Sequence, residues 1–446
     1  MNKVLEYLKK QGAIVNTEYR EHIERWHEWY RGKVKGFHEY NIFNGIKSIK
    51  HQRLTLCMPK KAAEDWANLL LNERVIISTD SEKFNKVLDE TFERNKFLSR
   101  GNQLIEKAFA LGTGAFVEWL DIEKKVVIDY VEANMIFPIT IENGEIIECA
   151  FASERTVEGA KQFYIQTHYR NRITNVLLDD KGKPIALPVN MSAKYPTKQK
   201  CFQIVKPNVV NNLHLHQPLG MSIFANALDQ ARACDTVFDS MVNDFAVGRS
   251  RIMVPMKYAQ VAQMADGTKR PVFDTADTVF TVFESANEGA KIEFVQPEIR
   301  AEQHKAGIQT ALALFADKCG LGNDRYKFEK GSVQTATQVI SEKSELYQNV
   351  QKHELLLNDA LLEMVEAIAY HTGATYKEAT VTFDDSIIED KAAKKAAFIS
   401  EINAGIRQPW EYRVEFLGED EATAQAAIQA PVTSDAGGFG DTGAGA

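Results

Sequence analysis

Between residues 1 and 110 apolar side chains recur every three or four positions, as in Trp66, Leu69, Leu70, then Val87, Leu88, Phe92, then Leu104, Ile105, Ala108, Phe109. That is the period of a helix with one buried stripe, so the spacing predicts a helical opening segment. From 115 to about 206 the period shortens to that of a strand. FVEWLD and VVIDYV flank a Glu-Lys-Lys turn, ITIE and EIIECAF flank Asn143-Gly144, and FYIQTHYR and ITNVLL run up to DDKG. Such segments between turn residues predict antiparallel hairpins. Sequential hairpins need no crossover, so the simplest arrangement is one meandering sheet packed on the preceding helices.

A helical stripe returns at 222–247 with Ile223, Phe224, Ala227, Leu228, Ala231, Cys234, Val237, Phe238, Met241, Val242 and Phe245. Its other face carries Asp229, Arg232, Thr236, Asp239 and Asn243, Ser222 is a suitable N-cap, and Gly248 a suitable stop. A second strand-rich insert, about 250–297, holds RIMVPM, TVFTVF and KIEFVQ, with Asp266-Gly267 as a turn signal. A helix over 299–318 leads into the glycine-bearing stretch CGLGNDRYKFEKGSVQ, after which Thr335 and Gln338 form a capping box. The helix they open has a stripe of Val339, Leu346, Val350, Leu357, Leu361, Met364 and Ile368. At about 1.5 Å per residue it would make a rod of roughly 55 Å. A strand, ATVTFDD, and two shorter helices at about 389–404 and 418–428 close the chain. The fold class expected is α+β, without an internal repeat.

The chain has 446 residues with 44% hydrophobic content, ample for a large core in several domains. With 61 acidic and 53 basic residues its net charge is −8, so it lacks the basic excess of a protein that grips phosphates tightly. Any DNA contact must be local or loose. The cysteines Cys57, Cys149, Cys201, Cys234 and Cys319 stand far apart with no CxxC pair, which argues against a disulfide framework and a cysteine-rich zinc site. The first residues turn charged too soon for a signal peptide, and no segment approaches about eighteen apolar residues, so neither secretion nor a membrane span is expected. The stretch 431–446, PVTSDAGGFGDTGAGA, has one aromatic and is expected to be a disordered tail.

The order of parts resembles the portal family of long-tailed phages that infect Gram-positive hosts. The likeness rests on WHEWYRG (26–32), RLTLCMPKKAAEDWANLLLNE (53–73), LGTGAFVEWL with VVIDYVEANMIFPITIENGEIIECAF, PLGMSIFANALDQARACDTVFDSMVNDF, and KGSVQTATQVISEKSELYQNVQKHE. Each stretch alone is a weak pattern; five in the family's order are specific. One departure is Gln338, where the family commonly has Glu, and Gln still completes the capping box. The resemblance implies a ring, usually of about twelve subunits, at a capsid vertex. It implies double-stranded DNA passing through the channel, and terminase, a head–tail adaptor, and major capsid and scaffolding proteins as partners. It lays residues 1–215 out as a wing, 216–249 as a first stem helix, 250–298 as a clip, and 299–318 as a second stem helix. Residues 319–334 become a tunnel loop, 335–388 a long wing helix and strand, 389–430 a crown, and 431–446 the tail. On this plan Arg325, Lys327 and Lys330 of the tunnel loop would touch phosphates, and Asp229, Asp239 and Asp244 would face the lumen. The plainer readings are solvated loop cations and the wet side of a surface helix.

Other candidate chemistry is thinner. His214-x-His216 has no third ligand nearby in sequence, and Asp384-Asp385 with Glu389-Asp390 suit helix caps as well as the carboxylates of a metal-dependent nuclease. Trp26, Trp29 and Tyr30 fall at helical spacing and are expected in a core rather than stacked on bases. Gly112-Thr113-Gly114 lacks the lysine of a phosphate-binding loop, and neither a GxSxG elbow nor an HExxH pair occurs. No enzyme, cofactor or metal is expected; the alternatives to a portal are a minor capsid protein, a head–tail adaptor, or a metal-dependent nuclease.

Overall fold

The computed structural model describes residues 2–12, 17–43, 45–187, 193–194, 199–248, 251–263, 267, 269–272, 280–284, 289, 291–296, 298–328, 336–383 and 391–429. Lys330, Thr335, Asp266, the acids Asp384-Asp385 and Glu389-Asp390, and the stretch 431–446 lie outside the described residues, as does the side chain of Gln338. Two compact units are present, Met1–Asp384 and Asp385–Ala446.

The first unit opens with helices α1 (Asn2–Lys10) and α2 (Thr17–Tyr30), followed by a hairpin of β1 (Glu39–Phe43) and β2 (Ser48–Gln52). Next come α3 (Met58–Leu70), β3 (Ile76–Thr79), α4 (Glu82–Arg94) and α5 (Phe97–Leu111). The opening segment is thus less purely helical than its periodicity predicts. The strands of the first hairpin are almost wholly exposed and carry no buried stripe to announce them, and β3 takes its partner from far along the chain. Trp26 and Trp29 are buried to 1% exposure, so the aromatic cluster of α2 is core.

The hairpins form as the turn residues predict, but in two sheets rather than one. β4 (Gly114–Leu120) and β5 (Val126–Glu132) pair with β12 (Phe202–Val205), which returns to the far edge of β4. β6 (Ile136–Glu142), β7 (Glu145–Val157), β8 (Ala160–Tyr169), β9 (Arg172–Leu178) and β10 (Pro184–Ile185) form the meander, with β11 (Ala193–Lys194) also on β9. A 3-10 turn at Ala133–Met135 separates β5 from β6 and breaks the meander there. Val4 and Leu8 of α1 lie on the meander with Phe137, Ala150, Phe163 and Leu178, while α5 packs on β4 and β5.

The expected helix at 222–247 is shorter: α6 is Leu228–Val247, preceded by a 3-10 turn at Ala225–Ala227. Ser222 therefore does not cap α6; its hydroxyl accepts the Phe224 N–H at 3.4 Å instead. Ile223 and Phe224 are buried in the body, where the Ile223 N–H donates to the Phe109 carbonyl at 2.9 Å, so their apolar character reflects packing rather than a helix stripe. The insert contributes β13 (Arg251–Pro255), β14 (Gln260–Gln263), β15 (Lys269–Val272), β16 (Phe280–Phe283) and β17 (Glu293–Val295). β16 runs parallel to β13 and β17 antiparallel to it, so this sheet is not a set of sequential hairpins. Helix α7 (Ala301–Lys318) packs along α6, and α8 (Ala336–Thr372) crosses back over β12 and β4 before β18 (Ala379–Thr382) pairs with β3. With α5 and α8 both on β4, Gly114 through Glu118 are all buried, as in a strand covered on both faces.

The second unit holds three helices among the described residues rather than the two expected: α9 (Lys391–Asn403), α10 (Pro409–Leu417) and α11 (Glu421–Gln429). Helix α10 escapes a periodicity search because none of its residues is buried; Pro409 at its first turn and a Gln408–Glu411 capping box start it instead.

Candidate functional site

The candidate region is the packed pair α6 and α7 with the loop that follows. Helix α6 is held at its side by buried and half-buried acids. Asp235, 2% exposed, accepts from His38 Nε2 at 2.9 Å, from the Thr55 hydroxyl at 3.0 Å and from the Leu56 N–H at 2.8 Å. His38 Nδ1 accepts the Val34 N–H at 2.9 Å, which leaves the ring proton on Nε2, pointing at the carboxylate. One turn further on, Asp239 accepts the Leu54 N–H at 3.0 Å. Two residues of extended chain advance about 6.6 Å and four residues of helix about 6 Å, so the N–H groups of Leu54 and Leu56 meet acids spaced i, i+4.

At the end of α6 Asp244 receives Arg300 Nε and Nη2 at 3.0 Å each, and His304 Nε2 stands 2.8 Å from Asp244 Oδ2. The His304 hydrogen bond, and after it Arg300, hold the Asp244 carboxyl below its usual range. Of the three acids expected on a lumen face, Asp244 therefore clamps α6 to α7 and Asp239 holds the 53–56 segment, while Asp229 is exposed. Asp235, which the apolar stripe hides, was missed; its four-residue spacing from Asp239 is the signal that could have found it.

The loop after α7 is pinned at its start. Trp66 Nε1 donates to the Cys319 carbonyl at 3.0 Å and Asn349 Nδ2 to the Gly320 carbonyl at 3.1 Å. Asp65 of α3, 4% exposed, then gathers Lys61 at 2.6 Å, Arg325 at 3.1 Å and the Tyr326 hydroxyl at 2.9 Å. Burial pushes the Asp65 carboxyl up, but the bonds from Lys61, Arg325 and Tyr326 outweigh it and leave the group below its usual range. Lys327 pairs with Asp324. Two of the three expected phosphate contacts are thus engaged within the chain, and 319–328 is a docked turn rather than a free basic loop.

A backbone crossing lies shortly before α6 in the chain. Gly112, at φ +87°, passes so close to Gly220 that a Cβ there would lie 2.3 Å from the Gly220 oxygen. Gly220 N–H donates to Thr113 Oγ1 at 2.9 Å, and the Tyr19 hydroxyl donates to the Gly220 carbonyl. The Gly-Thr-Gly stretch is a packing device. His214 faces Tyr19 and His22, and among the described residues no group of three or more His, Cys, Asp or Glu is placed to hold a metal ion. All five cysteines are free thiols. Among the described residues no helix is long and apolar enough to cross a membrane.

Residues 15–423 match the family described as phage portal protein, SPP1 Gp6-like, and the chain belongs to that family. Comparison with curated proteins gives no match. Among solved structures the chain is similar to one described as the neck of a native GTA particle computed with C12 symmetry. The identity is 13%, covering 80% of this chain and 89% of that one, with a TM-score of 0.42.

Proposed function

We propose that the protein is the subunit of a closed ring at a capsid vertex, a channel through which double-stranded DNA is packaged and later ejected. The observation that carries this is the portal-family match across 15–423. On this reading α6 and α7 form the stem, braced by the Asp244, Arg300 and His304 clamp. The 250–298 insert receives terminase and later a head–tail adaptor, and the wing meets major capsid and scaffolding proteins. The net charge of −8 suits transit, because an acidic lumen repels phosphates and prevents adhesion. Exposed Asp229 would contribute to that lumen field more than Asp239 and Asp244, whose charges are partly engaged in their clamps. Arg325 and Lys327, 32% and 46% exposed beside their carboxylate partners, would with Lys330 offer weak phosphate contacts repeated around the ring.

Native mass spectrometry with negative-stain imaging tests the reading. Copies of a 50.2 kDa chain closing about twelve-fold give a particle of about 600 kDa with a central hole. A protein that stays monomeric or dimeric at micromolar concentration across several salt conditions overturns it.

A further inference from the structure

The surface carries a protruding apolar knob and a matching apolar groove that belong to different parts of the same unit. The knob is the β1–β2 hairpin, where Ile42 is 44%, Phe43 69%, Ile46 88% and Ile49 36% exposed. Ile42 lies opposite Ile49 in the ladder, so the two share a face. The base of the hairpin is firm: Arg53 N–H donates to the His38 carbonyl at 2.7 Å, and the Arg53 guanidinium stacks on Phe37 and Tyr40 at 4.2 and 4.8 Å. Two-stranded hairpins are marginal in water unless an apolar face packs on something, and exposed apolar clusters on a folded protein mark contact surfaces.

The groove lies between β3 and the α4–α5 corner. It has a volume of about 620 Å³ and apolar walls from Val75, Ile76, Phe92, Phe97 and Leu98. Ile76 is 61% and Leu98 41% exposed. Its rim carries Asp89 and Glu93 against the single cation Lys96, whereas the hairpin carries Lys47 and Lys50 against the single acid Glu39. The charges are complementary in sign.

We propose that the apolar tip of the β1–β2 hairpin of one subunit seats in the β3/α4–α5 groove of the neighbouring copy. This rests on the ring reading, since a ring is made by heterologous contacts in which two different patches of one chain meet. Phe43 and Ile46 enter the groove, Ile42 and Ile49 cover its mouth, and Lys47 faces the acidic rim while Lys50 stays on Glu39 at 2.8 Å.

The test places p-benzoylphenylalanine at position 43 in the full chain, establishes the oligomer by native mass, irradiates it, and maps the products by peptide sequencing. The expected result is a ladder of chain-to-chain adducts whose acceptor peptides contain Val75–Ile77 or Phe92–Ser99. In a ring preparation, adducts confined to one chain, adducts to another surface, or no adducts overturn the docking while the ring reading stands. A chain that never forms a ring overturns both. As an independent measurement, Ile76→Asp and Leu98→Asp alter groove positions that are 61% and 41% exposed in the single chain. Each should weaken self-association about tenfold or more, since losing one buried apolar side chain amounts to a decade or more in affinity, with the melting temperature of the monomer unchanged. Undiminished assembly in both variants overturns the proposal.

Discussion

Asp235 sits where almost no water reaches it, so its charge is stabilised by His38, Thr55 and the Leu56 N–H alone. Removing it strands those donors in a dry place, and the penalty is their desolvation rather than the net worth of the bonds. Asp235→Ala should therefore destabilise the protein by about 3 kcal/mol, and Asp235→Asn, which keeps an acceptor, by less; urea denaturation measures both. Gly112 is another residue without a substitute. A methyl group there would stand 2.3 Å from a backbone oxygen in a left-handed conformation, so Gly112→Ala should cost about 3 kcal/mol, read as a lower melting temperature. An unchanged melting temperature would mean the two backbones can separate.

The turn after α7 is held by a partly buried pair, Arg325 with Asp65, and by Tyr326 on the same carboxylate. Because Arg325 is about one-third exposed, solvent screens the pair, and Arg325→Ser should cost only about 1 kcal/mol globally. Its local effect is larger: faster hydrogen exchange over 321–327, with α6 and α7 unaffected. Exchange that stays slow would show that Trp66 and Asn349 suffice to hold the turn. The periodic stripes made most helices legible, and hairpin turns such as Asn143-Gly144 made the strands legible. Beside the strands β1 to β3, two further departures have opposite reasons. Ile223, Phe224 and Ala227 are apolar because the body buries them, not because they lie on α6, and α10 is helical although none of its residues is buried. Periodicity reports burial, and it equals secondary structure only where an element has one buried face.

The pH response of the whole molecule follows from a few buried groups. Burial lowers His353 and His168 to about 3, and the His353 Nδ1 already accepts the Asn208 N–H at 3.0 Å. Both folded values lie below the unfolded value of 6.5. The unfolded chain therefore binds protons first, and stability falls as pH drops from about 6.5 toward 3. His353→Asn, whose amide oxygen can take the Asn208 N–H, should flatten this acid loss by several degrees of melting temperature. Glu118 acts in the other direction: burial raises it to about 8, with Gln203 opposing, so its contribution is full below about 4.5 and is lost as pH rises through about 8. Glu118→Gln should gain stability relative to the parent between pH 5 and 8. Melting curves across pH that keep the parental slopes would show these groups to be hydrated.

The sequence by itself determined the α+β class, the sites of most turns, the aromatic core of α2 and, through five ordered stretches, the portal resemblance that the family match bears out. These depend on local period, on turn chemistry and on the order of segments, all of which are written along the chain. Only the tertiary structure decided that β12 returns to β4 and β18 to β3, that Asp239 and Asp244 serve as clamps, and that Arg325 belongs to Asp65. Such pairings join residues up to 306 positions apart (382 minus 76). At that separation many acids and cations are equivalent in type, and a carboxylate's partner is set by which backbone the packing brings within 3 Å of it.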